Sequence, residues 1–440
     1  MSDRGFEIIP TSVALSKIPS MLKNPIPVVQ ENLRRYGDPY GVRMGKHLAI
    51  VTSRPTIIQH FLQKNHRNYT KSDIQTQKLA MFLGKGLLTL DGDEWLRQRR
   101  LIQPGFHKQR IMALQSNMEV TANELFHNLK NEIGIGTSTA DLQPFMMRMA
   151  FMMVSNALFS GVASDTQLAR IRAAIESSQH ALIKLIRLPF LEWWFRLSMV
   201  PSALKKVNQS CEDLLNIITQ RRASGIDGDG DLLDMLLEAR YEDDGELMTD
   251  QQLIFELLVL FVAGHETTAN ALSWSVFLLS RHEEVVEKMR LELAQGKETY
   301  LDQVINEVLR MYPPAWLTDR LSIGPDRIDG IEIPPHSLMA GFIYGTHHCP
   351  DLWHSPEVFN PDRFADGAKQ QPFAFLPFGG GPRLCIGMQF AFLEMKIVLK
   401  QLITQFDFEA VDPDKVRMKP LVTLGLEGGL PVKIKVRKGV

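Results

Sequence analysis

The 440-residue chain carries 49 lysines and arginines against 50 acids, a formal net charge of −1, and is 45% hydrophobic. This balance gives no electrostatic reason to expect nucleic acid as a partner. Three cysteines, Cys211, Cys349 and Cys385, are too few and too scattered for a disulfide framework, which fits a reducing, cytoplasmic setting.

The N-terminus, MSDRGFEIIP, is charged and broken by proline, unlike a signal peptide or an anchor. Alternating apolar positions from Tyr40 to Val51, with Gly41 and Gly45, predict a short hairpin. Apolar residues at three- and four-residue spacing predict mostly helix from about Asp93 to Arg222. Two Gly/Asp-rich breaks, Ser224 to Asp231 and Glu242 to Glu246, read as surface loops. Thr249 then opens the clearest helix: its hydroxyl suits the N-cap, and Gln252 is spaced to reach back as in a capping box. Periodicity runs to about Arg281, on the order of 30 residues or 45–50 Å, enough to cross a whole domain. Its most apolar run, Leu257 to Gly264, falls short of the roughly 18 residues that span a bilayer, so the chain reads as soluble. Shorter helices follow, one stopped by Pro313 and Pro314. Short strands and proline-rich coil lead from Ile323 to a last helix, Ile386 to Phe406. No repeat or linker marks a boundary. The expectation is one domain, mainly α with small β-sheets (α+β).

Candidate chemistry concentrates in FGGGPRLCIG, Phe378 to Gly387. Cys385 stands at the start of the last helix, where the dipole and free amides favour a thiolate. Gly379, Gly380 and Gly381 let amides approach the sulfur. Zinc is disfavoured because no second cysteine or histidine stands at ligand spacing, and a catalytic thiol because no base is nearby. A buried, inert cysteine remains the plain alternative. In the long helix, VAGHETTAN groups a glycine, an acid and a hydroxyl. Gly264 would let a planar cofactor and a diatomic ligand approach the backbone. Thr267 can bond the carbonyl of Ala263, and Glu266 with Thr267 can pass protons inward. A solvated glutamate is the alternative there. His265 reads as a packing or channel residue. Glu307 and Arg310 share one helix face, as do Trp95 and Arg99.

Phe378, Gly381, Arg383, Cys385 and Gly387 together resemble the haem-binding loop of the cytochrome P450 family of haem-thiolate monooxygenases. The other motifs follow in family order from about Tyr36 to the C-terminus. Residues 1–440 are thus expected as one haem domain, with 1–35 an N-terminal extension packed on it. The resemblance implies a prism-like, triangular helical fold with the long helix over haem b. It implies Cys385 as axial iron ligand, and Arg383, Trp95, Arg99 and Arg320 as partners of the haem propionates. Gly264, Glu266 and Thr267 would be catalytic. Glu307, Arg310 and Arg363, from NPDRF, would form a buried structural triad supporting the haem loop. Glu266 stands where Asp is commoner. His347-His348-Cys349-Pro350 replaces the usual His-Arg-Asp-Pro, which puts a propionate role for His348 in doubt, and a metal site there is not expected.

By family position Phe255, Val259, Val262, Ala263, Ala315, Leu317 and Leu426 would line the substrate pocket under a cover from Met81 to Leu87. Leu185 to Val200 would be a mobile aromatic lid, with ordinary packing and membrane contact as alternatives. No dinucleotide fingerprint or iron–sulfur spacing occurs. Electrons from NAD(P)H are therefore expected through a ferredoxin or flavodoxin and its reductase, docked near Arg97, Arg100, Lys108 and Arg110 of a monomer. The implied reaction inserts one oxygen atom of O2 into a C–H bond of a small lipophilic substrate, by hydroxylation or by O-demethylation of a methyl ether. Fatty acid, terpenoid, carotenoid and methylated sugar are the candidate substrates. A peroxide-dependent peroxygenase and a non-enzymatic haem-thiolate sensor are the rivals. The Glu266–Thr267 pair argues against the first, a substrate lid against the second.

Overall fold

The computed structural model describes residues 5–44, 47–225, 230–365 and 370–437. Helices dominate, and the strands form small sheets, one of six strands and the others of two or three. Tyr40–Met44 and His47–Thr52 pair antiparallel, Tyr40 opposite Val51, as the alternation predicts. Gly45 and half of the Ser224 to Asp231 loop, residues 226–229, lie outside the described residues. Before the hairpin, Pro25–Tyr36 is a helix whose Ile26 and Val29 share a core with Tyr40, Phe342 and Leu424.

The long helix is Asp250–Leu279, 30 residues. Thr249 Oγ1 accepts from the Gln252 N–H at 3.2 Å, but the other half of the capping box does not form. Gln252 Nε2 donates instead to the Lys85 carbonyl and to Glu256 Oε1, both at 2.8 Å. The neighbouring loop outcompetes the helix's own first amide for this side chain. By length and composition this helix is the one among the described residues that suits a membrane span, yet it runs through the core. It packs most extensively on the helix Leu142–Phe159, where Phe151 meets Phe261 at 5.7 Å and the His265 ring edge-on at 5.4 Å. Towards its C-terminal half, Trp274 stacks on Tyr312 at 3.8 Å and donates to the Leu424 carbonyl at 2.9 Å. That bond ties the helix to a hairpin of Arg417–Pro420 and Leu424–Glu427.

The last helix is Met388–Gln405, starting two residues after the predicted Ile386. Its first turn is closed by the Ala391 N–H on the Gly387 carbonyl at 2.9 Å, so Cys385 precedes the helix in a loop.

Candidate active site

Gly381 explains the bareness of the cysteine loop. Its φ is +70°, and a Cβ there would sit 1.9 Å from the Leu62 carbonyl oxygen, so only glycine fits. The loop is thereby laid directly on the backbone of His60–Lys64. The Cys385 N–H donates to the Phe378 carbonyl at 3.0 Å, and the Phe378 ring packs 5.5 Å from Phe392. The Cys385 side chain reaches open volume. Burial nevertheless pushes its thiol pKa up, while the Gly387 N–H and the Arg99 charge pull it down.

Beside this loop lies a cluster of cations around one acid. Arg383 pairs with Asp91 and lies over the Trp95 ring, 4.9 Å from its centroid. Its Nη1 is buried without a partner. Arg320 donates to the Asp319 carbonyl at 2.6 Å; burial first and Arg383 second push its pKa down to about 10. Lys71, which no sequence motif marked, is buried and donates to the Leu87 and Leu88 carbonyls at 2.9 and 2.8 Å. Burial, then Arg383 and Arg320, depress its pKa to about 7. Asp91 also accepts from the Lys71 N–H at 2.6 Å. A crowd of cations with an orphaned guanidinium nitrogen is an incomplete ion network. A dianionic group such as the two propionates of haem would complete it. Arg99 stands apart: it donates to the Leu384 carbonyl at 3.1 Å and to Gln103 at 3.0 Å. It thus serves the cysteine loop, although Trp95 is only one turn away.

On the long helix, Thr267 Oγ1 donates to the Ala263 carbonyl at 2.6 Å. The Glu266 carboxylate accepts from Gln179 Nε2 at 2.7 Å. Burial raises the Glu266 pKa against the opposing effects of Thr423 and Gln179. Gly264 does not take the place expected of it. A Cβ there would meet Val154 Cγ2 at 3.0 Å, so its bare side faces the helix Leu142–Phe159. Ala263 is the exposed residue of this turn. His265 donates to the Met147 carbonyl at 3.1 Å, and burial drops its pKa to about 4, as suits packing.

Glu307 accepts from Arg310 Nε at 2.7 Å and Nη2 at 2.9 Å, and from Arg363 Nε at 3.2 Å. The network extends to an unforeseen histidine. Arg310 Nη1 donates to the His347 carbonyl at 2.8 Å, and His347 Nδ1 donates back to the Arg310 carbonyl at 3.1 Å. His347 Nε2 accepts the Leu376 N–H at 3.0 Å, just ahead of the cysteine loop. Burial, then His348, holds the His347 pKa down at about 3, so this ring is a neutral strut. His348 stacks on Tyr344 at 3.9 Å, and its Nδ1 donates to the Tyr344 carbonyl at 2.8 Å. No cluster of metal-ligating side chains occurs among the described residues.

The pocket expectations divide. Phe255 and Val259 pack on the covering loop at Gly84 and Gly86, and Val262, Ala263 and Ala315 are half-buried or exposed. Leu426 is turned into the main core, and Leu317 is half-buried against the cluster that holds Phe342. Burial on both sides of the hairpin could not be seen in its sequence. The aromatic segment forms the short helix Glu192–Ser198, with Trp193 61% and Leu197 73% exposed. Arg97, proposed for partner docking, is already paired with Asp243 and Asp244.

Comparison with known proteins agrees with this geometry. A family model described as Cytochrome P450 matches residues 5–427, beginning well before Tyr36. Echinocystic acid 23-monooxygenase of Saponaria officinalis is 28% identical over 93% of this chain and 84% of its own. Cyclooctatin synthase of Streptomyces melanosporofaciens is 30% identical over 89% and 88%. Retinoic acid-bound cyanobacterial CYP120A1 superposes with a TM-score of 0.83 and 26% identity over 96% of both chains. The chain is therefore a member of the cytochrome P450 family, an oxygen-incorporating oxidoreductase.

Proposed function

We propose that this protein binds haem b with the Cys385 thiolate as axial ligand and hydroxylates a lipophilic substrate, with electrons from NAD(P)H through a ferredoxin or flavodoxin and its reductase. O-demethylation is the same chemistry at a carbon next to an ether oxygen. The observation that carries the reading is Cys385 itself, open at its sulfur and supported by the Gly387 N–H and the Arg99 charge. Lys71, Arg320 and Arg383 would hold the propionates over Trp95, with Asp91 fixing Arg383. When bound, the haem supplies dioxygen activation, and a thiolate ligand favours O–O cleavage.

The chain's own part is proton delivery and positioning. Glu266, its carboxylate held by Gln179 and its pKa raised by burial, would relay protons inward. Thr267 Oγ1 can turn from the Ala263 carbonyl and donate into the space beside Ala263. Apolar Phe255, Val259 and Val262 exclude water and suit a lipophilic substrate. The relatives' names, which include echinocystic acid and retinoic acid, support an organic molecule of that kind.

The test is spectroscopic. Reduced, haem-loaded protein should give the red-shifted Soret band of thiolate ligation on binding carbon monoxide. Cys385→Ser should abolish the band and Cys211→Ser should keep it. A band that survives Cys385→Ser refutes the ligand assignment.

A further inference from the structure

The Glu266 carboxyl is clasped between two elements that are distant from each other in sequence. On one side Gln179, in the helix Asp165–Arg187, donates through Nε2 to Glu266 Oε2 at 2.7 Å. On the other side Thr423 gives its hydroxyl to the same carboxyl. Thr423 is buried in the turn between Arg417–Pro420 and Leu424–Glu427, and its Oγ1 accepts from Asn270 Nδ2 at 3.0 Å. A hydroxyl that accepts from an amide still has its own hydrogen to give. Asn270, Thr423 and Glu266 therefore form a chain of donors running one way, and it begins and ends on the long helix, one turn apart.

The Thr423 side of the clasp is built to stay put. A Cβ on Gly425 would lie 3.1 Å from Asn270 Oδ1, so the bare residue leaves the amide its room. Trp274 donates to the Leu424 carbonyl at 2.9 Å, and the Leu424 N–H donates to the Pro314 carbonyl at 2.9 Å. Trp316 Nε1 reaches the Leu421 carbonyl at 3.2 Å, so the turn is held on both sides of Thr423. The Gln179 side has a different footing. Its helix packs chiefly on Val200–Ser224 and scarcely touches the long helix, so the Gln179 amide ties together two helices that otherwise barely meet. Both donors are neutral. Burial raises the Glu266 pKa, and the only influences opposing it are Thr423 and Gln179. A cation in either place would hold the carboxyl ionised, whereas two neutral donors orient it and still let it take up a proton.

We propose that Gln179 and Thr423 are positioning residues for proton delivery, which together fix the Glu266 carboxyl in the orientation from which it serves the Thr267 turn. Glu266 stays the proton carrier, and the two clasping residues act only through it. The inference rests on the relay reading above and goes beyond it in assigning what aims the acid.

Haem-loaded wild type, Gln179→Leu, Thr423→Val, their double variant and Glu266→Gln are compared by two measurements. The first is infrared difference spectroscopy at low pH, where the carboxyl stretch that Glu266→Gln removes identifies the acid. That band should move in each single variant and move further in the double variant. A band unmoved in either single variant overturns the clasp. The second is the share of NAD(P)H electrons recovered other than as hydrogen peroxide. A plant-type ferredoxin and its reductase supply the electrons, with dodecanoic acid and farnesol as probes. Each single variant should lower that share on the order of tenfold, the rate equivalent of one hydrogen bond to a group that ionises. The double variant should fall little further, because both residues act through one carboxyl, and Glu266→Gln should fall at least as far. An unchanged share in the clasp variants, with loss only in Glu266→Gln, overturns the proposal and leaves the relay standing. So does lowered thermal stability alone, which would make both residues packing groups. An unchanged share in Glu266→Gln as well, or a wild type that sends every electron to peroxide, overturns the relay beneath it too. The carbon monoxide band, read on the same samples, reports on the haem-thiolate reading separately.

Discussion

Thr267 Oγ1 lies 2.6 Å from the carbonyl oxygen of Ala263, one turn earlier in the long helix. That bond takes the place of none in the helix ladder, so the hydroxyl can leave it without unwinding the turn. A donor that is parked rather than locked suits intermittent proton delivery. Thr267→Ala should lower product formation on the order of 10²-fold, the usual size of a positioned proton donor's contribution. NAD(P)H consumption should continue and appear as hydrogen peroxide. Thr267→Ser should restore most product. Unchanged product per NAD(P)H in Thr267→Ala would exclude the hydroxyl from proton delivery.

Gly264 separates a packing role from an oxygen-binding one. Its missing Cβ would lie 3.0 Å from Val154 Cγ2, and Val154 is itself buried in the main core. Alanine gains about 1 kcal/mol of helix propensity over glycine, but overpacking a fixed neighbour costs about 1–3 kcal/mol. Gly264→Ala should therefore lower stability by roughly 1 kcal/mol. In a Val154→Ala background the clash is gone and the same change should stabilise. Thermal unfolding of the four proteins closes the cycle. A loss of activity in both backgrounds with no stability coupling would return Gly264 to the oxygen site.

The glycine also shows what the sequence could and could not display. Periodicity and a cap residue were enough to place the long helix within two residues of its end, because both are local properties. The loop motif was legible because Gly381 cannot be anything else at that φ and that approach to Leu62. Which side of the helix Gly264 turns to the cofactor was not legible, since it depends on a partner more than a hundred residues away. Lys71 and His347 were missed because neither stands at a helical or strand spacing from its partners. Their partners, Leu87 and Leu88 for one and Arg310 and Leu376 for the other, are brought together only by the fold.

Glu256 and Lys71 grip the covering loop from two sides, and their titrations run in opposite directions. Glu256 is fully buried and accepts the Leu87 N–H at 3.0 Å; burial raises its pKa from 4.5 to about 7. The folded protein thus holds a proton there that the unfolded chain releases above about 4.5. This group's contribution to stability is largest below 4.5 and is lost as pH rises to about 7. The full shift corresponds to roughly 3 kcal/mol. Lys71, lowered from 10.5 to about 7, costs most below about 7 and is relieved as pH rises towards 10.5. Glu256→Gln should remove the fall between about pH 4.5 and 7 while Lys71's trend above it persists. Urea midpoints of the two proteins at pH 5 and pH 7.5 test this. Parallel curves would mean that Glu256 does not titrate in that window.

The Glu307 network should respond as a structural unit. Glu307 and Arg310 have no exposed side-chain surface, and Glu307 Oε1 also accepts the Asn360 N–H at 2.9 Å. Arg363 joins from the coil at 3.2 Å and spends its remaining donors on carbonyls, including Ser355 at 2.7 Å. Removing the acid leaves a buried Arg310 charge without compensation, which costs about 3–5 kcal/mol. Glu307→Gln should therefore yield little folded, haem-retaining protein. Arg363→Lys keeps the charge but loses the planar fork that reaches two or more carbonyls, so its loss should be smaller, about 1–3 kcal/mol. The decisive comparison is turnover per folded molecule. Because His347 links Arg310 to Leu376 and none of these groups faces the Thr267 turn, the haem-loaded fraction of Arg363→Lys should turn over at the wild-type rate. Full thermal stability with lost turnover would instead make the network part of the chemistry.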